Sequence, residues 1–130
     1  MIIDGVYIGS LLKAFRKFES FRLHTHTEHE KAGTIQAFEY CFELVWKTMK
    51  RLLSVRGLNV NSPREVFRLA TLENFIHDPE VWFEFLNKRN LTVHTYEEKA
   101  VEEILSSLEN FSHEVKNFLK SIGVPDDVYG

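Results

Sequence analysis

Residues 33–53 decide the fold class and read Gly-Thr-Ile-Gln-Ala-Phe-Glu-Tyr-Cys-Phe-Glu-Leu-Val-Trp-Lys-Thr-Met-Lys-Arg-Leu-Leu. Apolar side chains recur in this stretch every three or four residues, as they do on one face of an α-helix. These side chains are Ile35, Phe38, Phe42, Val45, Trp46, Met49 and Leu53. We therefore predict a long amphipathic helix that begins at Gly33 and ends before Gly57.

Helical periodicity also marks the chain before this stretch. A first helix is predicted from apolar residues at helical spacing, namely Leu11, Leu12, Phe15, Phe18 and Phe21. This helix fades into a polar stretch at 24–31. Strand signals are nearly absent, since no hairpin-turn pair lies between two alternating runs. Asp4-Gly5 is not expected to be a hairpin turn, because no alternating run precedes it. These patterns predict an all-α chain.

Two further helices have clear start signals after Gly57. Ser62 is suited to be an N-cap, Pro63 to be the first helical residue, and Glu65 to complete a capping box. Asp78-Pro79 repeats the signal. The inward-facing residues predicted for these two helices are Val66, Phe67, Ala70, Phe75, Trp82, Phe85 and Leu86.

A last helix is predicted to begin at Thr95, which forms a second capping-box pattern with Glu98. Gly123 and Pro125 end it. Its apolar face consists of Val101, Ile104, Leu108, Phe111, Val115 and Leu119. The predicted architecture is an antiparallel up-down four-helix bundle with an additional short helix.

The segment 89–96, Arg-Asn-Leu-Thr-Val-His-Thr-Tyr, places a cation, an imidazole and a phenol close together where the periodicity breaks. Arg89 and His94 would point roughly 140° apart on a continuous helix. Either the chain turns between them, or the two side chains meet through a second copy of the chain. With Thr95 as the cap, His94 would lie just outside a helix N-terminus. The helix dipole would there favour a neutral imidazole and attract an anion.

Size and composition fit one globular domain over residues 1–130, since 44% of the side chains are apolar and 27% are charged. No apolar run approaches the ~20 residues of a membrane span, and the N-terminus has no basic n-region of a signal peptide. Cys41, the sole cysteine, indicates a buried thiol and a reducing compartment. We expect a cytoplasmic protein without a membrane segment.

Charge is unevenly distributed along the chain. The net charge of −3 argues against an indiscriminate nucleic-acid binder. Basic residues cluster at Lys47, Lys50, Arg51, Arg56, Arg64 and Arg68, and acidic residues at Glu97, Glu98, Glu102, Glu103, Glu109 and Glu114. Lys47, Lys50 and Arg51 share one helix face, and Glu43, four residues before Lys47, allows an ordinary surface ion pair with it. That face is either solvated surface or a contact for RNA or for an acidic cleft of a partner protein.

Two other groups of residues have competing interpretations. His24, His26 and His29 lie at helical spacing beside acidic residues, but a zinc site usually has a fourth ligand and a second shell. A solvated surface is the preferred interpretation, and we predict no metal and no cofactor. Trp46 and Trp82 lie on apolar faces and are expected in the core or a dimer interface.

The pattern Arg-x4-His-x-Tyr, formed by Arg89, His94 and Tyr96, resembles the signature of the HEPN superfamily (higher eukaryotes and prokaryotes nucleotide-binding). More narrowly, it resembles the nucleotidyltransferase substrate-binding branch, which includes HEPN toxins encoded beside minimal nucleotidyltransferases. The segments 36–40, 43–48 and 61–66 look like further blocks of this family. The resemblance covers roughly residues 35–122 and leaves out the first thirty.

This resemblance implies a four-helix bundle, a homodimer and a separate minimal nucleotidyltransferase partner, in a heterotetramer or larger assembly. In the toxin members of the family, the motif arginine and histidine form a metal-independent RNase site across the dimer. The residues of this chain that match them are Arg89 and His94. The motif tyrosine, here Tyr96, can be nucleotidylated by the partner, which silences the toxin. Asn90 could bind a phosphate or orient His94. Nothing in the chain looks like the Gly-Ser plus Asp-x-Asp catalytic pattern of a nucleotidyltransferase, so we expect that the chain does not itself transfer nucleotides.

Three functions remain open from the sequence. The first is an RNase toxin that acts on RNA and is neutralised by its partner, with Lys50 and Arg51 binding substrate. The second is a non-catalytic subunit that presents a substrate to the nucleotidyltransferase. The third is a helical dimer that serves for assembly alone, in which Arg89 and His94 tie two helix ends together and Tyr96 is ordinary packing.

Overall fold

The computed structural model describes residues 1–129, and most of these residues are helical. The α-helices are α1 (Gly9–Arg22), α2 (Glu28–Val55), α3 (Pro63–Leu72), α4 (Pro79–Asn90), α5 (Glu98–Ser106) and α6 (Leu108–Ser121). The shorter elements are two strands, β1 (Ile2–Ile3) and β2 (Val6–Tyr7), and two 3₁₀ helices, Leu91–His94 and Asp126–Val128. The all-α class is confirmed in its broad form. The up-down four-helix bundle is a finer statement and stays a prediction.

The chain begins with a small antiparallel hairpin, in which Ile2 pairs with Tyr7 and Ile3 with Val6. Asp4 and Gly5 form its turn, with φ values of 49° and 81°. The expectation that Asp4-Gly5 is not a hairpin turn was therefore wrong. An Asp-Gly pair tolerates two successive positive φ values, as a tight hairpin turn requires. Strands of two residues are too short to show alternation in the sequence.

Helix α2 begins earlier than predicted, because Thr27 and Glu30 form a reciprocal capping box. The Thr27 hydroxyl accepts a hydrogen bond from the Glu30 backbone N–H at 3.1 Å, and the Glu30 carboxylate accepts one from the Thr27 N–H at 2.7 Å. The predicted start at Gly33 was wrong. A Cβ at Gly33 would lie 2.7 Å from the ring of Phe21, so glycine there permits close packing of α1 on α2.

The predicted starts of the two middle helices are confirmed, but within residues 1–129 the Glu65 side chain accepts no hydrogen bond from the Ser62 N–H, so the predicted capping box forms only in part. The Ser62 hydroxyl accepts a hydrogen bond from the Glu65 N–H at 3.3 Å, and Pro63 is the first residue of α3. The Asp78 carboxylate accepts a hydrogen bond from the Glu80 N–H at 2.9 Å at the start of α4. Side-chain caps satisfy backbone donors that a helix start otherwise leaves without a partner.

The last predicted helix is instead two helices, and neither begins at Thr95. Helix α5 has Glu97 as its N-cap residue, without a side-chain cap. A break at Ser107 separates α5 from α6, and the Ser107 hydroxyl donates to the Ile104 carbonyl at 2.7 Å. Serine hydroxyls that bond to nearby carbonyls compete with helical backbone bonding, which favours an interruption there. The end before Gly123 is confirmed, with φ of +97° at that glycine.

The core is built from aromatic rings that meet at Phe111 of α6. Its ring centroid lies 5.3 Å from that of Phe18 in α1, 5.0 Å from Phe38 in α2 and 5.2 Å from Phe85 in α4, each in an edge-to-face arrangement. Trp82 is also fully buried, whereas Trp46 is half-buried. One side chain thus joins four helices, and such ring pairs add to the free energy gained by burial.

Cys41 lies fully buried on α2, as predicted for an inert thiol. Burial raises the pKa of the Cys41 thiol well above its usual range, so the reactive thiolate is not formed near neutral pH. Over residues 1–129, no helix has both the length and the apolar character needed to cross a bilayer.

Candidate functional site

The segment 89–96 lies at the junction between α4 and α5, where the sequence predicted a turn. Arg89 belongs to the last turn of α4, and the 3₁₀ helix Leu91–His94 follows directly. The Thr92 hydroxyl donates to the Arg89 carbonyl at 2.7 Å, which fixes the start of this turn. Val93 and Tyr96 are strongly exposed, with 73% and 77% of their surface accessible. The junction therefore presents its motif side chains to solvent.

Arg89 is held against helix α2. Its Nη2 donates to the Glu43 carboxylate, and its Nη1 lies 3.4 Å from the Asn90 side-chain oxygen. Glu43 also accepts from the Trp46 indole N–H at 3.1 Å and lies 3.8 Å from the Lys47 ammonium. The predicted Glu43–Lys47 pair is thus present. The carboxylate accepts hydrogen bonds from Arg89 and Trp46, has the Lys47 ammonium nearby, and connects the end of α4 to the middle of α2.

His94 makes its side-chain contact with Tyr96. The imidazole Nδ1 lies 3.0 Å from the phenol oxygen, and the two rings meet edge to face with their centroids 5.7 Å apart. Among residues 1–129, Arg89 and His94 share no hydrogen bond, and each has another partner. The chain turns between them but does not join their side chains.

Two expectations about the environment of His94 were wrong. His94 was expected just outside a helix N-terminus, but α5 begins at Glu98, beyond the cap residue Glu97. The helix-dipole argument for a neutral imidazole therefore loses its basis, because the effect is confined to the first turn. Asn90 was a candidate to orient His94, whereas its amide oxygen faces Arg89.

The cationic face of α2 forms a shallow cavity of about 290 Å³. Trp46, Lys47, Lys50, Arg51 and Ser54 line it, so the predicted common face of the three cations is confirmed. Lys47 is engaged by Glu43, whereas Lys50 and Arg51 form no ion pair within the described residues 1–129. The cavity lies one helical turn beyond Glu43, and thus next to the contact that holds Arg89.

The histidines near residue 26 serve the connection between α1 and α2. The His24 ring nitrogen Nδ1 lies 2.9 Å from the Ser20 carbonyl oxygen. The backbone N–H of His26 donates to the Glu30 carboxylate at 3.0 Å. Backbone hydrogen bonds from Thr27 and His26 hold the pKa of Glu30 below its usual value, because they stabilise the charged form. In the part of the chain from 1 to 129, no group of three or more His, Cys, Asp or Glu could hold a metal.

The helical fold and the Arg-x4-His-x-Tyr junction together define the class of protein. The chain belongs to the family described as "Nucleotidyltransferase substrate binding protein like", which it matches over residues 7–123, and with it to the HEPN superfamily. The recognition from the motif is thereby confirmed. The match begins well before residue 35, so the first helix, α1, also belongs to the family pattern.

Two relatives can be compared directly. The chain is similar to the "Probable ribonuclease HepT" of Haemophilus influenzae, with 29% identity over 96 residues. That alignment covers 70% of this chain and 66% of the relative, just under two thirds of its length. The chain is also similar to a crystal structure from Thermus thermophilus, with a TM-score of 0.81 and 29% identity over 87% of this chain and 98% of that one.

One functional contact was missed in the sequence. Glu43 was interpreted as the partner of Lys47 at helical spacing, and its contact with Arg89 spans 46 positions of the chain. Spacing within one helix predicts neighbours three or four residues away. It carries no information on which distant helix end packs beside that face.

Proposed function

We propose that the chain is a HEPN-type toxin subunit that cleaves RNA without a metal, at a site built from Arg89 and His94 of two copies of a single helical domain. One observation carries the proposal: Arg89 and His94 lie at an exposed junction, and neither uses the other as a partner within one chain. The name of the Haemophilus relative, a probable ribonuclease, supports the same activity.

The proposed chemistry follows from the two side chains. A neutral His94 imidazole takes the proton of a ribose 2′-hydroxyl while its oxygen attacks the adjacent phosphorus. The bond from phosphorus to the 5′ oxygen breaks, and the protonated His94 of the second copy donates its proton to that leaving oxygen. Arg89 stabilises the charge that develops on the phosphoryl oxygens. The products are a 2′,3′-cyclic phosphate and a 5′-hydroxyl.

The surface around the motif supports a homodimer. Val93 is a large apolar side chain exposed next to His94, and contact with a second copy would remove it from water. A two-fold axis through this surface supplies two imidazoles and two guanidinium groups from identical chains. We propose an antiparallel up-down arrangement of four helices as the scaffold of each copy.

Nearby polar residues suit a bound RNA backbone. Lys50 and Arg51 line the cationic cavity next to the Arg89 contact, and Asn90 lies exposed beside Arg89. Lysine and arginine side chains supply most of the affinity for phosphates, without sequence preference. We propose that RNA passes from this cavity across Arg89 to the paired His94 residues.

Tyr96 is the proposed site of control by a partner nucleotidyltransferase, in a heterotetramer or larger assembly. The phenol oxygen attacks the α-phosphorus of a nucleoside triphosphate, pyrophosphate leaves, and the phenol proton is lost. The exposure of Tyr96 and its 3.0 Å contact with the His94 ring support this role. A nucleotide on that oxygen places a bulky anion beside the imidazole and replaces the phenol O–H in this contact.

The direct test is RNA cleavage by the purified chain in the presence of EDTA. We expect His94→Ala to lower the rate by about 10²-fold or more, because it removes both acid–base groups. His113→Ala, at an exposed histidine of α6, is the matched control and should cleave like the wild type. If folded, dimeric His94→Ala cleaves RNA at the wild-type rate, the activity does not come from this site.

A second candidate is a non-catalytic subunit that binds the substrate of a two-component nucleotidyltransferase. The family description favours it, because it names substrate binding and no cleavage. Expression of the chain with and without the neighbouring nucleotidyltransferase separates the two functions. Growth arrest that needs His94 and is relieved by the partner supports the toxin, whereas no arrest supports the binding subunit. Mass spectrometry of the co-expressed chain should find a nucleotide on Tyr96 in the first case.

A further inference from the structure

We propose that Glu43 is the positioning residue for Arg89, and that it also tempers the attraction of this site for phosphate. This inference rests on the proposed function, since it concerns how the same guanidinium meets RNA. Glu43 does not touch the reacting atoms in the proposed chemistry. It acts through the Arg89 side chain that it holds.

The geometry of Glu43 is that of an anchored carboxylate. One oxygen accepts from Arg89 Nη2, and the other accepts from the Trp46 indole at 3.1 Å. The Trp46 indole, half-buried on the same helix, fixes the orientation of the carboxylate. The Glu43 side chain is 27% exposed and that of Arg89 is 37% exposed, so the contact is partly shielded from solvent. This carboxylate therefore defines where the guanidinium lies.

Position and charge are two separable consequences of this contact. A free arginine side chain loses rotamer entropy when it is fixed, and Glu43 fixes Arg89 before RNA binds. The same carboxylate offsets the positive charge of Arg89, and it lies one helical turn before the first residues of the cationic cavity that contains Lys50 and Arg51. It thereby weakens the attraction for phosphate while it keeps the guanidinium in place.

Two substitutions at this residue separate the effects. Glu43→Gln keeps an acceptor oxygen but removes the charge, so we expect kcat to change little and KM to fall by about two- to fivefold. Glu43→Ala removes the acceptor as well, and we expect kcat to fall by about ten- to a hundredfold. Glu39→Gln and Glu39→Ala, one turn earlier on α2, are the matched controls and should leave both constants unchanged.

A merely structural role for Glu43 predicts a different pattern. Both Glu43 variants would then unfold at lower temperature and lose kcat in parallel, without a fall in KM for Glu43→Gln. That pattern overturns the proposal. So does a Glu43→Ala variant that is folded and keeps the wild-type kcat. If Glu43→Ala fails to fold, the constants of Glu43→Gln still decide between the two roles.

A measurement that needs no RNA tests the positioning of Arg89 separately from the proposed RNase function. In ¹⁵N NMR, the Arg89 Nε–H signal, assigned by its loss in Arg89→Lys, should be sharp in the wild type and in Glu43→Gln. In Glu43→Ala, the chemical shift of this signal should move toward that of a free arginine side chain, because the side chain then samples several conformations. An unchanged signal in Glu43→Ala overturns the positioning role. If the wild-type chain cleaves no RNA while the signal behaves as expected, the RNase function fails and the positioning of Arg89 stands.

Discussion

The ring cluster around Phe111 and the motif segment 89–96 are opposites in construction. Phe111 is fully buried, and its ring meets aromatic side chains from three other helices at centroid distances of 5.0 to 5.3 Å. In the motif segment, His94 and Tyr96 are exposed and contact each other rather than the core. Helix α4 connects the two regions, because it carries Phe85 of the cluster and also Arg89, which contacts Glu43 on α2.

This difference separates stability from chemistry. The aromatic cluster contributes free energy of folding through burial and ring contacts, which scale with the area removed from water. The exposed motif residues contribute little to folding and are free to meet RNA, a second copy or a modifying partner. Substitutions in the two regions should therefore have opposite effects on stability and on activity.

The largest expected effect on stability is at the centre of the cluster. Phe111→Ala should lower the free energy of unfolding by about 3–5 kcal/mol, because it removes a buried ring and leaves a cavity among four helices. Urea unfolding measures the change. His113→Ala, on the exposed side of the same helix, should change it by less than about 0.5 kcal/mol. A loss below about 1 kcal/mol for Phe111→Ala would show that this ring is not the centre of the core.

A smaller effect is expected at the start of α2. Thr27→Ala removes the hydroxyl that accepts from the Glu30 N–H at 3.1 Å, and should cost about 1 kcal/mol. Thermal unfolding followed by circular dichroism is the measurement. His29→Ala in the same helical turn leaves the capping box intact and serves as control. Equal midpoints for Thr27→Ala and the wild type would mean that the cap does not hold this helix end.

The ion pairs of Glu19, with Arg22 on α1 and with Lys116 on α6, predict a dependence of stability on pH. Burial alone would raise the pKa of Glu19, but hydrogen bonds from Arg22 and Ser112 and the charges of Arg22 and Lys116 lower it below 4.5. Because the folded pKa is the lower one, the stabilisation is complete above about pH 4.5 and is lost as the pH falls through the folded value.

The variant Glu19→Gln isolates this contribution. The free energy of unfolding of the wild type should fall more steeply than that of Glu19→Gln as the pH drops below about 4.5. Unfolding by urea at a series of pH values measures both slopes. Glu84→Gln, at an exposed position of α4, should keep the wild-type slope. Parallel curves for Glu19→Gln and the wild type would remove Glu19 as the source.

The smallest expected effect on stability is in the motif segment. His94→Ala and Tyr96→Phe should each change the free energy of unfolding by less than about 0.5 kcal/mol, because both side chains are exposed. Their midpoints in urea should match the wild type. A loss above about 1.5 kcal/mol for either variant would make the segment part of the structural framework and would remove the contrast with the aromatic cluster.

Local sequence patterns predicted much of the fold and the location of the candidate site. Ser62 and Asp78 were recognisable caps, since the signal lies within three residues, and Phe111 belonged to a clear apolar stripe. The start of α2 has a signal of the same kind, since Thr27 and Glu30 form the capping-box pattern, and this pattern predicts the helix start better than Gly33 does. These features depend on neighbouring residues.

The remaining features depend on packing between distant parts of the chain. The contact of Glu43 with Arg89 exists because α4 ends beside α2, and no local pattern encodes that approach. The break at Ser107 occurs where the serine hydroxyl donates to a backbone carbonyl. The apolar residues keep helical spacing across this break, so the sequence pattern does not indicate it.

The most direct test of the central claim is RNA cleavage by two copies linked in one polypeptide, with His94→Ala in one copy. A site that needs an imidazole from each copy as base and acid predicts a rate far below half of that of the linked wild type. Linked wild-type copies that cleave RNA, together with a half-substituted dimer that keeps half the rate, would contradict the account, because each chain would then carry a complete site.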